Sequence, residues 1–170
     1  MASYRKPKGT YVRPSPDWFI NQLASGSWYN DQQVGTQYAS IGLFNNDTLG
    51  RKFYIYGISV GTFNANTAYG VVLNGTFGSL VTSCVSVDAS LPAPPGQIYF
   101  TRFGPAAPPN VTLAQPAGTR FNLGSGYTKV DVFQDWPICV LPVGYSLNIQ
   151  SSLQSAEWST SFWYVPFPGA

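Results

Sequence analysis

Residues 38–60, YASIGLFNNDTLGRKFYIYGISV, decide the fold. From Tyr38 to Phe44 the chain alternates. Ala39, Ile41 and Leu43 fall on one side, and Tyr38, Ser40, Gly42 and Phe44 on the other. That period of two is what a half-buried strand requires. NNDTLG follows, rich in residues that reverse a chain. RKFYIYGISV gives a second strand, with Phe53, Ile55, Gly57 and Ser59 opposed to Tyr54, Tyr56, Ile58 and Val60. Two such runs around a short polar turn predict a hairpin or a corner between two sheets.

The same reading extends outward. Strands are predicted at Tyr69–Leu73, Leu80–Val87, Gln97–Arg102, Val111–Leu113, Val130–Gln134, Ile138–Leu141, Tyr145–Gln150 and Trp158–Val165. Asn74-Gly75 is a strong hairpin signal. The segments LPAPPG and GPAAPPN cannot be central strands, because proline lacks the ladder donor, and they read as ordered loops. DWFINQL, residues 17–23, is read as one helical turn capped by Asp17, and the Asn/Gln-rich stretch through Gln37 as a connector. Short strands with long irregular links predict an all-β chain: a jelly-roll-like β-sandwich of about eight strands over residues 17–170. Residues 1–16, with Pro7, Pro14 and Pro16, are expected to form an extended N-terminal arm.

Composition narrows the role. At 170 residues the chain is large enough for one cored domain. Only 9% of residues are charged while 16% are aromatic, so the surface is largely uncharged and cheap to desolvate. Arg5, Lys6, Lys8 and Arg13 give the first sixteen residues +4, and the remainder carries −2. No apolar stretch reaches membrane-spanning length, and the basic start has no apolar segment behind it, so neither a membrane contact nor a secretory signal is expected.

There is no histidine. Ser-His-Asp and Cys-His catalysis are thereby excluded, along with imidazole metal sites. Asp131 and Asp135, beside Trp136, are the one carboxylate pair suited to glycosidase-type work, but such residues at a strand end usually serve turns. GSGYTK lacks the spacing of a phosphate loop. No enzyme activity, cofactor or metal is therefore assigned. Cys84 and Cys139 sit in apolar runs and read as buried free thiols, a disulfide staying open if the chain is exported. Sequons at Asn46, Asn74 and Asn110 are at chance level in so Asn- and Thr-rich a chain. Trp18, Trp28, Trp136, Trp158 and Trp163 fit core or interface better than a sugar platform.

Partner contact is assigned to the arm: Tyr4, Arg5, Lys6, Lys8, Tyr11 and Arg13, with Trp18 and Phe19 at its base. Four cations give only a modest, salt-screened attraction to nucleic acid, so nucleic acid is set aside. An arm that orders across a neighbouring subunit is the preferred reading.

Two segments resemble a known family. LFNNDTLGRKFYIYGISV, residues 43–60, is similar to the strand-turn-strand opening of small jelly-roll structural proteins of tailed bacteriophages. VLPVGYSLNIQSSLQSAEWSTSFWYVPF, residues 140–167, resembles their closing pair, a Pro-x-Gly-Tyr turn leading to an aromatic-rich last strand. The resemblance implies a capsid decoration, or cement, protein of the virion. Such a protein is often a homotrimer and stabilises junctions between major capsid proteins. It equally fits a tail or appendage protein that binds a host glycan or receptor, and a shell subunit in its own right is a further rival.

Overall fold

The computed structural model describes residues 21–30, 38–62, 66–76, 78–103, 120–123, 128–133, 135–151 and 158–167. Among them are twelve strand segments: β1 (Ala24–Asn30), β2 (Tyr38–Phe44), β3 (Lys52–Thr62), β4 (Asn66–Asn74), β5 (Ser79–Ser83), β6 (Val85–Ser86), β7 (Gln97–Phe103), β8 (Arg120–Leu123), β9 (Thr128–Phe133), β10 (Cys139–Leu141), β11 (Tyr145–Ser151) and β12 (Trp158–Phe167). They form two antiparallel sheets. One runs β10-β3-β12-β1-β6, with β9 also on β3, and the other runs β5-β7-β2-β11-β4-β8.

Eight of these strands make a closed pattern. β1-β12-β3-β9 are neighbours in the first sheet, and β2-β11-β4-β8 in the second. From β1 to β4 the chain changes sheet at each step, and it does so again from β8 to β9 and from β11 to β12. This is the connectivity of a jelly roll, two Greek keys wrapped into a sandwich. β10 continues β9 along the same edge, since β9 pairs with residues 57–62 of β3 and β10 with residues 53–55. β5, β6 and β7 are added between β4 and β8.

The interior follows from alternation. Ala39, Ile41 and Leu43 of β2 face the core, as predicted, and meet Leu147 and Ile149 of β11. Trp158, Phe162 and Tyr164 of β12 complete it from the other sheet. Phe53 stacks on Tyr164 with ring centroids 4.3 Å apart.

The sequence reading needs three corrections. β3 does not keep one alternation: Tyr164 pairs with Ile55 and Trp163 with Gly57, so Tyr56 bulges. An extra residue reverses the faces beyond it. Phe53 and Ile55 therefore point inward before the bulge, and Ile58 and Val60 after it. Residues 24–30 are a strand, not a connector. Residues 80–87 are not one strand, because the chain leaves the second sheet at Cys84 and joins the first. The predicted frame of about eight strands is present, and the insertion and the broken β9–β10 edge add four further segments, β5, β6, β7 and β10. Asn21 and Gln22 are helical, in keeping with a turn there. Residues 1–20, the strand expected at Val111–Leu113 and the segment GPAAPPN lie outside the described residues.

The crossing at Cys84 is held by close packing. Cys84 N–H donates to the Gly96 carbonyl at 3.0 Å, and the Tyr164 hydroxyl donates to the Pro95 carbonyl. A Cβ on Gly26 would lie 2.6 Å from Cys84 Sγ and from Ile98 Cδ1. A Cβ on Gly96, at φ +131°, would lie 2.1 Å from the Tyr164 hydroxyl. Both positions admit only glycine, because a side chain has no room and the Gly96 backbone lies where other residues are strained. Gly96→Ala is expected to destabilise the fold by at least about 2 kcal/mol. Urea unfolding checks this, and an unchanged midpoint would show that the crossing does not depend on this contact.

Candidate functional site: one end of the sandwich and its outward face

The loops at one end are tied together by Asn45. Its side-chain amide donates to the Arg51 carbonyl at 3.0 Å and to the Leu141 carbonyl at 2.9 Å. Its backbone N–H donates to the Tyr145 carbonyl, and its own carbonyl accepts from Gly144 N–H, both at 2.9 Å. Gly144 in turn accepts from Gly75 N–H at 2.7 Å. One fully buried side chain thus links the β2–β3 and β10–β11 loops, and the β4–β5 turn follows. Next to it, the Asn46 side-chain oxygen accepts from Gly96 N–H at 2.7 Å, which brings in the Pro-rich loop behind β6.

Asp47 completes the knot. It is buried, and its carboxylate accepts from Leu49 N–H and from Arg51 N–H, Nε and Nη2, the last at 2.7 Å. Burial opposes its ionisation, but the bonds from Arg51 and Leu49 together outweigh burial and hold the carboxyl below the usual carboxylate range. Beside this knot lies a groove lined by residues including Asn21, Leu23, Arg51, Leu91 and Pro95, where the chain enters β1.

The outward face of the first sheet is a second feature. Pairing places Val85, Ser25, Trp163 and Gly57 in one row, Ser27, Ser161 and Ser59 in the next, and Tyr29, Ser159 and Gly61 in the third. None of these residues is charged, but β9 continues the last two rows with Asp131 beside Ser59 and Lys129 beside Gly61, and Gly57, Ser59 and Gly61 are buried. Val85, Val87 and Tyr29 are exposed, at 58%, 44% and 52%. The outward face of the second sheet is covered more extensively. Ser40, Ser146, Asn148 and Gln150 alternate with the core residues of β2 and β11 yet are buried. The Asn148 amide lies over Gly42 and donates to the Ser146 hydroxyl at 2.8 Å.

The residues singled out from sequence fare unevenly. Tyr4, Arg5, Lys6, Lys8, Tyr11, Arg13, Trp18 and Phe19 lie outside the described residues, and the structure places none of them. Asp131 pairs with Ser59 in β9, and Asp135 is exposed in the bend beyond it. Among the described residues no three Cys, Asp or Glu side chains come together as a metal-binding group. Trp158 belongs to the core and Trp28 packs against it, whereas Trp136 is exposed. Cys84 and Cys139 are both free, Cys84 at the sheet crossing and Cys139 on the far edge. Burial pushes the Cys84 thiol up to about 11 and the Cys139 thiol to about 12. Asn45 and the serine-rich outward face of β1 and β12 were not singled out. The only signal was the NNDT turn itself for the first and the repeated serines of WSTS and SGSW for the second.

Comparison of the chain with protein-family models, curated proteins and solved structures finds no match.

Two outcomes test this geometry. The depressed Asp47 carboxyl contributes stability that is fully present above its unfolded pKa of about 3.9 and is lost as pH falls through its lower folded value. Asp47→Asn is therefore expected to cost about 1–3 kcal/mol at pH 7 and to lose less than wild type on acidification below pH 4, both read by urea unfolding. The raised thiols are expected to resist a thiolate-seeking reagent at pH 8 until the chain is unfolded. Rapid labelling of native Cys84 would contradict its packing.

Proposed function

We propose that this chain is a structural protein of a virus particle, a decoration protein that sits across junctions between major capsid proteins of a phage head. What carries the reading is the strand order β1-β12-β3-β9 over β2-β11-β4-β8. That order is the jelly roll used by viral capsid, lectin and cupin domains. Fold by itself does not select among these. The selection comes from the chain: no histidine for metal or acid–base work, few charges, and a +4 leader ahead of a −2 body.

The role is mechanical. A rigid sandwich, locked at one end by Asn45, presents uncharged surface that loses little on desolvation. The leader, through Tyr4, Arg5, Lys6, Lys8, Tyr11 and Arg13, adds a second contact. Several weak contacts repeated in an oligomer, a trimer in the preferred form, act together.

One specific observation favours a second reading, the shell subunit itself. The eight-strand frame is complete, and the chain crosses between sheets at Cys84 on one side and from β8 to β9 on the other. A complete frame of this kind is one that viral shell subunits use. Expression of the chain alone separates the two. Decoration predicts soluble small oligomers that bind preformed heads, and a shell subunit predicts closed particles.

Deletion of residues 2–16 tests the arm. The shortened chain is expected to keep its unfolding midpoint and to bind heads about tenfold more weakly or worse. Undiminished occupancy would remove the arm from the account, and no association with particles by either form would remove the virion role.

A further inference from the structure

We propose that Asn74-Gly75 is a site of spontaneous chemical modification, held unreactive while the Asn45 end of the sandwich is closed. When that end opens, Asn74 turns into aspartate and isoaspartate. The inference rests on this turn alone and does not need the virion reading.

The chemistry lies within the chain. Asn74-Gly75 is its one Asn-Gly pair. Glycine has no Cβ to shield its backbone nitrogen, so that atom can approach the preceding side chain. The Gly75 nitrogen attacks the side-chain carbonyl carbon of Asn74. A new C–N bond forms there and the side-chain amide C–N bond breaks. Ammonia leaves, carrying the proton that the Gly75 nitrogen gives up. Water then opens the cyclic imide at either carbonyl. One opening leaves aspartate, and the other leaves isoaspartate, whose main chain runs through the side-chain carbon.

The fold both permits this reaction and restrains it. Asn74 is exposed, so water reaches it. Gly75 stands at φ +103° just past β4, and nothing lies within 4 Å of where a Cβ would be, so the imide has room. The restraint is on the attacking group. Gly75 N–H donates to the Gly144 carbonyl at 2.7 Å, and a nitrogen engaged in this way keeps its proton. Asn74 is also the last residue of β4, paired with Tyr145, which fixes the backbone that would have to turn.

The lock is the Asn45 knot. Gly144 N–H donates to the Asn45 carbonyl and Asn45 N–H to the Tyr145 carbonyl, both at 2.9 Å. The Gly75 bond therefore lasts only while the β10–β11 loop sits on Asn45. Such opening is a local event, and the reaction draws on the population of opened chains. It is also one-way. Aspartate adds a negative charge, and isoaspartate adds a main-chain atom to β4 opposite Tyr145. Because Tyr145 is bonded to Asn45, the change weakens the knot that guarded it. The turn records each opening permanently.

Peptide mass spectrometry of the full chain tests this, with chromatography separating the two products at Asn74. At mildly alkaline pH, conversion in the native wild type is expected to be about tenfold or more slower than in urea. Asn45→Ala, while folded, should convert about threefold or more faster than native wild type. If it does not fold, Asp47→Asn, in the same loop, takes its place. Converted protein should unfold at lower urea than fresh protein. The proposal is overturned by native wild type that converts as fast as the unfolded chain, by an unfolded chain that keeps its Asn74 amide, by a folded variant no faster than wild type, or by converted protein as stable as fresh.

Discussion

The buried amide of Asn45 is the constraint on which this sandwich depends. Two sheets packed by alternation alone could slide, because apolar contacts have no direction. Asn45 fixes one end with directed bonds to the Arg51, Leu141 and Tyr145 backbones and to Gly144. Buried donors and acceptors left unpaired are costly, so these loops have one arrangement that satisfies all of them. Asp47 and Arg51 secure the same loop by charge, and Asn46 carries the restraint to Gly96.

From Gly96 the restraint passes to the other device of the fold. The chain changes sheet at Cys84 because Gly26 and Gly96 leave room for it and the Tyr164 hydroxyl holds the loop above. Val85 and Val87, both exposed, stand directly after this crossing.

Much of this was legible from residues alone. The bounds of β2 coincide with the alternation from Tyr38 to Phe44, and the Gly75 turn was marked by its dipeptide. Where reading failed, the cause is physical. The reversal at Tyr56 is invisible because Tyr54 and Tyr56 suit either face of a strand. β1 was missed because its inward positions are Ala24, Gly26 and Trp28, the glycine being required by Cys84 at the sheet crossing and by Ile98 of β7. RFNL of β8 is too short to show a period. Asn45 looked like a turn residue, since its partner Leu141 is 96 residues away. The arm residues chosen from sequence belong to a segment the structure does not place, so charge and aromatic content remain their whole support.

The central claim is that this chain works as a rigid body fitted against other protein subunits of a virus particle. A cryo-electron density map of the particles produced alongside it tests that most directly. The account predicts a two-sheet density of this strand order in or on the protein shell, at junctions between subunits. Particles fully built without such a density, while the protein stays free in solution, would contradict it.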